Sequence, residues 1–66
     1  MNAKEITFDE LEKMLADYYE CGEIGDKGKF YAVDRNGHCT AVDNSTGDMW
    51  AEAFNDVTAA LIWLAD

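Results

Sequence analysis

Positive charge is scarce in this chain of 66 residues. Five Lys and Arg side chains stand against fourteen Asp and Glu side chains, so the formal net charge is −9. Binding to nucleic-acid phosphates or to anionic membranes requires clustered cations, and the composition argues against direct contact with either. Charge repulsion on this scale weakens a compact fold and favours association with cationic partners.

Long hydrophobic runs are missing too. The longest run, residues 59–65, is far shorter than the roughly 20 residues that a bilayer-spanning helix needs. The first ten residues lack the cationic and apolar blocks of a secretory signal peptide. These two absences predict a soluble intracellular protein.

Cysteine and histidine are few. Cys21 and Cys39 do not make a disulfide framework, and two reduced thiols are the favoured interpretation. Together with His38 they offer three soft ligands without the paired spacing of a structural zinc site. Residues 43–48 lack the length and the final glutamate of a calcium-binding loop. We therefore expect no metal and no cofactor.

Motifs for catalysis are also lacking. Consecutive His38 and Cys39 point to opposite faces of a strand, so they do not form a pair of nucleophile and base. The sequence contains no glycine-rich loop of the kind that binds phosphate. We expect that the protein is not an enzyme.

Apolar residues, by contrast, are plentiful enough for a folded core. Hydrophobic residues make up 48% of the chain and aromatic residues 12%, which is too rich for a disordered segment. A chain of this length forms one domain, residues 1–66, and buries only about 60% of its unfolded surface. Association into an oligomer would help such a small core.

Two helices are predicted. Thr7 and Glu10 form a capping box and Gly22 is a typical C-terminal stop, so the first helix covers residues 8–20. Its apolar side carries Phe8, Leu11, Met14, Leu15, Tyr18 and Tyr19. Asn55 is the expected cap of the second helix. The apolar face of that helix carries Val57, Ala60, Leu61 and Leu64.

Residues 29–54 predict three antiparallel strands joined by two hairpin loops. Asn36-Gly37 is the strongest short signal for a two-residue type I′ turn, because that turn needs two positive φ angles. This turn places Val33 opposite Thr40.

The second hairpin is expected to close through a three-residue loop over 45–47. That loop places Val42 opposite Trp50, whereas a four-residue loop would shift the register by one. The predicted fold is a two-layer α+β domain of order α-β-β-β-α. Its three-stranded antiparallel sheet carries both helices on one face.

The predicted register divides the sheet into two faces. Helices approach a sheet most closely over small side chains, so we expect the core on the face that carries Phe30, Ala32, Cys39, Ala41, Met49, Ala51 and Ala53. The other face would then leave an uncovered apolar cluster of Tyr31, Val33, Val42 and Trp50. This cluster either adds cross-strand packing or forms an interface, since Trp and Tyr dominate interface energies. A homodimer is the simplest such interface.

Carboxylates collect in two places. One set lies along the polar side of the first helix and comprises Asp9, Glu12, Asp17 and Glu20. The other gathers at one end of the sheet and comprises Glu23, Asp26, Asp43 and Asp48. A solvated surface that only raises solubility is the ordinary explanation. An excess of negative charge this large for 66 residues also favours the explanation that the carboxylates have a function in binding.

In size, in its net charge of −9 and in its α-β-β-β-α plan, the chain resembles the small acidic inhibitors that phages and mobile elements encode, including anti-CRISPR and anti-restriction proteins. The resemblance covers the whole chain in character and contains no sequence motif. It implies a cytoplasmic protein of a bacterial host that presents carboxylates where DNA presents phosphates. The element order is also that of double-stranded-RNA-binding domains. The second helix, however, opens with Asn55-Asp56-Val57 and not with a basic cluster, so RNA binding is not implied.

Two functions follow as hypotheses. In the first, the protein is a DNA mimic, an anti-CRISPR in particular, that fills the basic nucleic-acid channel of a CRISPR effector and blocks target DNA binding. In the second, it is a dimerising adaptor or structural module that binds a protein partner through the face of Tyr31, Val42 and Trp50. Neutralising the carboxylates would abolish the first activity and leave the second unchanged.

Overall fold

The computed structural model describes residues 3–22 and 27–65. A short strand β1 (Ala3–Glu5) and helix α1 (Phe8–Cys21) are followed by strands β2 (Lys29–Val33), β3 (Cys39–Asp43) and β4 (Trp50–Phe54) and by helix α2 (Val57–Ala65). The strands form one mixed sheet in the order β1-β2-β3-β4, in which β1 and β2 are parallel. The α+β class, both helices and the three longer strands are as predicted, whereas β1 was not predicted.

Helix α1 begins and ends as its sequence predicts. The Thr7 amide donates to Glu10 Oε1 at 3.0 Å, and the Glu10 amide donates to Thr7 Oγ1 at 3.1 Å. This reciprocal pair is the capping box, and it satisfies two amides that the first turn leaves without helical partners. At the other end Gly22 has a φ of 77°, and its amide donates to the Tyr18 carbonyl at 2.7 Å.

Strand β1 turns the first part of the chain into a β-α-β unit. Ala3 pairs with Lys29 and Glu5 with Tyr31, and the Ile6 amide extends the contact by donating to the Tyr31 carbonyl at 2.9 Å. Helix α1 is the crossover that a parallel connection requires. Three residues are too few to show strand periodicity, which is why the sequence did not predict this strand.

The first hairpin differs from the predicted type I′ turn. No described residue other than glycine has a positive φ, so Asn36 does not adopt the conformation that this turn needs. The Asp34 amide donates to the His38 carbonyl at 2.9 Å, and the loop therefore has three residues, with Gly37 left-handed at a φ of 86°. The predicted register was wrong by one residue, since Val33 pairs with Cys39.

An aspartate explains the longer loop. Asp34 Oδ1 accepts the amides of Asn36 at 2.8 Å and His38 at 3.0 Å. Aspartate side chains stabilise turns in this way by bonding to backbone two or more residues further on. These two bonds hold a turn in which Gly37 alone needs the left-handed region.

The second hairpin has the four-residue loop 45–48 and not the predicted three-residue loop. Asp43 pairs with Trp50 and Val42 with Ala51, so the predicted pairing of Val42 with Trp50 was wrong. Asp43 Oδ1 again organises the turn, because it accepts the Ser45 amide at 3.0 Å and the Ser45 hydroxyl at 2.6 Å.

The two helices pack on opposite faces of the sheet, which corrects the predicted two-layer arrangement. On one face Leu11 of α1 is buried with Ala32 and Val42. On the other face, Ala60 and Leu64 of α2 are buried with Cys39 and Ala41. Successive residues of a strand point to opposite faces, and neighbours in β3 accordingly contact different helices. The sheet is thus the middle layer of three.

Burial corrects part of the expected core. Trp50 is 68% exposed, as predicted, but Ala51 and Ala53 are also exposed, whereas they were expected beneath the helices. They share the face of α1 with Ala32. Helix α1 contacts the sheet chiefly at β2, so it does not extend over β4.

The N-cap of helix α2 lies one residue later than predicted. Asp56, and not Asn55, caps it, since Asp56 Oδ1 accepts the Ala59 amide at 2.8 Å. At the other end the Lys29 ammonium donates to the Leu64 carbonyl. A carboxylate at the N-terminus and an ammonium at the C-terminus both complement the helix dipole.

Candidate functional site

The solvent side of α1 carries the first predicted carboxylate set. Asp9, Glu12, Asp17 and Glu20 are all exposed, and we refer to these four as the acidic face. The opposite side of the helix holds Leu11 against the sheet. Because helical neighbours lie three or four positions apart, the spacing of these four residues keeps them on the outer half of the helix.

Nothing within the described ranges neutralises the acidic face by direct contact. No hydrogen bond or ion pair joins its four side chains to another described residue. Lys13 is the one cation on this helix, and it forms no salt bridge with them. The acidic face therefore presents four solvated carboxylates to any partner.

The second carboxylate set is less suited to binding. Glu23 and Asp26 lie outside the described residues. Asp43 is half-buried, and its hydrogen bonds from Ser45 hold the pKa of its carboxyl below the ordinary value. Asp48 is exposed in the same hairpin loop. Asp43 therefore has a structural role, and Asp48 is the one described member of this set that is free of such a role.

Other carboxylates also have roles inside the fold. The backbone hydrogen bond from Thr7, together with that from its side chain, lowers the pKa of Glu10. Asp34 organises the first hairpin, and Asp56 caps α2. A considerable part of the negative charge thus serves local structure, which makes the acidic face distinct from the rest.

The predicted apolar interface is not one surface. Tyr31 and Val33 are half-buried against the core beneath α2. Val42 is fully buried on the other face, in the core beneath α1. Of the four predicted residues only Trp50 is exposed. The cause is the one-residue register shift, which moves all of β3 to the opposite face, and the predicted homodimer loses the cluster on which it was based.

Two aromatic residues that were predicted on the apolar side of α1 are exposed, Phe8 slightly and Tyr19 strongly. Tyr19 was assigned to the apolar side, yet it is 81% exposed and meets the ring of Tyr18 edge-on with 6.1 Å between ring centroids. It precedes Glu20 directly and lies seven positions, about two helical turns, after Glu12. Helical spacing could not have revealed this exposure, because Tyr19 follows Leu15 by four positions and Leu11 by eight, which are positions of one helical face. Tyr19 therefore adds an aromatic side chain to the edge of the acidic face.

The soft ligands are dispersed. Cys39 is fully buried, and burial is the main reason that the pKa of its thiol is raised, whereas Cys21 is exposed. The His38 ring lies 3.9 Å from a carboxylate oxygen of Asp34. Across residues 3–22 and 27–65, no group of three or more His, Cys, Asp or Glu side chains is placed to hold a metal ion.

The fold and the acidic face together define a small α+β domain with an uncompensated acidic helix. No helix in the described part of the chain has the length and apolar character needed to cross a membrane. Comparison with protein-family models, with curated proteins and with solved structures gives no match to this chain.

Proposed function

We propose that the protein is an inhibitor that binds, through the acidic face of α1, to a basic nucleic-acid-binding surface of another protein and keeps nucleic acid from that surface. One observation carries the proposal: four exposed carboxylates share the outer side of one helix, and no described residue pairs with them. Complementary charge accelerates such association and excludes partners of like charge.

The spacing of the carboxylates favours a channel for a single strand over one for a duplex. From Asp9 to Glu20 the helix rises about 16 Å at 1.5 Å per residue. Over that length a duplex presents roughly ten phosphates, at one charge per 1.7 Å, and a single strand presents about five. Four carboxylates approach the charge of one strand. The basic channels of CRISPR effectors, which the resemblance to phage inhibitors implies, are the partners to test first.

Tyr19 adds support for a partner that binds single strands. Such channels combine cationic side chains along the backbone with aromatic side chains that stack on bases. An exposed tyrosine beside carboxylates offers both features of the nucleic acid, a flat ring and adjacent negative charge. Tyrosine is also among the residues that dominate interface energies.

The test is competition for a nucleic-acid-binding protein, with two variants of equal charge. In the first variant, Asp17→Asn and Glu20→Gln neutralise half of the acidic face. In the matched control, Glu5→Gln and Asp48→Asn remove two exposed carboxylates from elsewhere. Asp9 stays in both, because a carboxylate in the first helical turn stabilises the helix.

We expect the wild-type protein and the control to displace a labelled single strand from the effector, and the acidic-face variant to lose most of this activity. Each exposed ion pair is worth only about 0–1 kcal/mol, so single substitutions should have small effects. Equal loss in both variants would show that only net charge matters. Normal strand loading at saturating inhibitor, with a later step blocked, would contradict mimicry.

A further inference from the structure

The outer edge of β4 is unused by the proposed function. β4 is an edge strand, and within residues 3–22 and 27–65 no strand pairs with it on that side. Ala51, Glu52 and Ala53 are all exposed. Proteins usually protect edge strands with charged side chains, proline, a bulge, a very short strand or a covering element, because such edges pair with other chains. β4 has five residues, regular pairing with β3 and no proline, and Glu52 is its one charged side chain.

The hydrogen-bond phase of the sheet can be followed from one pair. Asn44 donates its amide to the Gly28 carbonyl at 2.7 Å, and Gly28 donates to the Asn44 carbonyl at 3.3 Å. In an antiparallel ladder, residues that exchange both bonds alternate with residues whose main-chain groups face the other way. Thr40 and Val42 of β3 therefore bond to β2, and the remaining residues of β3 bond to β4.

This phase determines which amides of β4 face outward. The residues of β3 that bond to β4 pair with Trp50, Glu52 and Phe54. The main-chain N–H and C=O groups of Ala51 and Ala53 consequently point away from the sheet. Both alanine side chains are exposed methyl groups, so no bulky side chain shields these donors and acceptors from an approaching strand.

Charge decides against a second copy of this chain as the occupant. The antiparallel register that pairs all five residues of β4 with themselves places Glu52 opposite Glu52 of the copy. Like charges directly opposite one another destabilise a strand pair. Each copy also carries a net charge of −9, and a basic strand meets neither obstacle.

We propose that the edge of β4 binds an extended basic segment of a partner protein as a fifth strand, with a Lys or Arg side chain opposite Glu52. Strand addition of this kind derives affinity from main-chain hydrogen bonds and specificity from alternate side chains. The basic character of the partner rests on the proposed function, whereas the strand pairing rests on the edge geometry alone.

The probe is a short synthetic peptide of alternating lysine and valine. Two control peptides replace lysine by glutamate, or place a proline at the centre with the same charge. The readout is amide hydrogen exchange and chemical-shift change, residue by residue. In the free protein, the amides of Ala51 and Ala53 should exchange fast, whereas those of Trp50, Glu52 and Phe54 should be protected.

The lysine–valine peptide should protect Ala51 and Ala53, and both control peptides should not. Ala53→Pro removes an outward amide, which edge strands tolerate, and should weaken binding about tenfold or more, as expected for one lost hydrogen bond with steric exclusion. Ala53→Val keeps the amide and should bind within about twofold of wild type, as surface substitutions usually do.

Four outcomes would overturn the proposal. Protection of Ala51 and Ala53 without peptide, with a dimer in sedimentation, would assign the edge to a second copy. Equal protection of the Ala51 and Ala53 amides by the glutamate or proline peptide would refute binding of a basic segment as a fifth strand. Slow exchange of both amides in a monomer would refute the edge geometry. Peptide-induced shifts confined to Asp9, Glu12, Asp17 and Glu20 would refute this inference while leaving the proposed function intact.

Discussion

The carboxylates of this chain differ in whether they accept hydrogen bonds from main-chain amides. Glu10, Asp34, Asp43 and Asp56 each accept a main-chain amide within their own cap or turn. Those of the acidic face accept none from the described residues. A side chain that holds its own turn is poorly placed to bind a partner, because binding would compete with its local hydrogen bonds.

Thr7→Ala should destabilise the protein through loss of the α1 cap. The substitution removes the acceptor for the Glu10 amide, and the loss of an N-cap of this type costs about 1 kcal/mol. Thermal unfolding should show a decrease in Tm of roughly 4–8 °C for a domain of this size. Thr7→Ser keeps the hydroxyl and should restore most of the difference. An unchanged Tm in the alanine variant would contradict the capping box.

The Asp43 carboxylate should make the free energy of unfolding depend on pH. The pKa of this carboxyl lies below the ordinary aspartate value of 3.8 in the folded protein because Ser45 donates to it. A carboxyl whose pKa is lowered on folding stabilises the folded protein at pH values above its unfolded pKa of 3.8. That stabilisation is lost as the pH falls through the folded pKa.

Asp43→Asn should therefore lower the Tm at neutral pH, and the difference from wild type should shrink below pH 3.8. Asp48→Asn, in the same loop but exposed, is the control for simple loss of charge. A difference between the Asp43 variant and wild type that does not change down to pH 2 would contradict the assigned hydrogen bonds.

At the scale of the elements, local patterns were sufficient for the helices and insufficient for strand register. The capping box at Thr7 and the stop at Gly22 are short-range signals, and α1 follows them. The hairpin loops depended on competition between two turn chemistries. Asn36-Gly37 favours a two-residue turn, but Asp34 lies where its side chain can hold a three-residue turn, and it does so.

The two register errors reverse the face of β3 and leave the face of β4 as predicted. Each loop is one residue longer than predicted, so β3 shifts by one residue relative to β2 and β4 shifts by two, which aligns Tyr31 with Glu52 through Ala41. Val42 and Cys39 thereby exchange faces. Val42 joins Ala32 beneath α1, and Cys39 packs with Tyr31 and Val33 beneath α2, so each face of the sheet holds apolar side chains. Because both faces carry apolar side chains, a helix covers each of them. The residue pattern of a single strand could not indicate this arrangement.

Substitution of Val42 and Trp50 by lysine tests the three-layer packing. Val42→Lys should abolish cooperative unfolding, because it buries a charge in the core beneath α1. Trp50→Lys should change the free energy of unfolding by only about 0.5 kcal/mol, as is usual for an exposed site. Urea denaturation followed by far-ultraviolet circular dichroism provides the measurement. Similar effects of the two substitutions would restore the predicted register.

The candidate site was predictable where it depends on helical spacing alone. Asp9, Glu12, Asp17 and Glu20 follow from the period of α1, and all four are exposed as expected. The second acidic set required knowledge of the loops, since Asp43 is engaged in its turn. The edge of β4 required the ladder phase, which depends on the register and so was inaccessible from sequence.

At the scale of the whole molecule, salt should act in opposite directions on folding and on binding. The net charge of −9 produces repulsion within the folded chain. Because the screening length falls to about 10 Å at 0.1 M salt, added NaCl should raise the Tm. Binding to a basic partner should weaken over the same range. Calorimetry and a binding titration on the same samples would test both, and a Tm that falls with salt would contradict this account.

The parallel pairing of β1 with β2 has a consequence for the order of folding. Ala3 meets Lys29 across 26 positions, whereas the hairpins of β2, β3 and β4 close within far shorter stretches. Closing a loop costs about 0.6 kcal/mol more for each doubling of its length. The three-stranded meander should thus assemble first, and β1 should join it late. Removal of the cap at Thr7 would then accelerate unfolding and leave the rate of folding nearly unchanged.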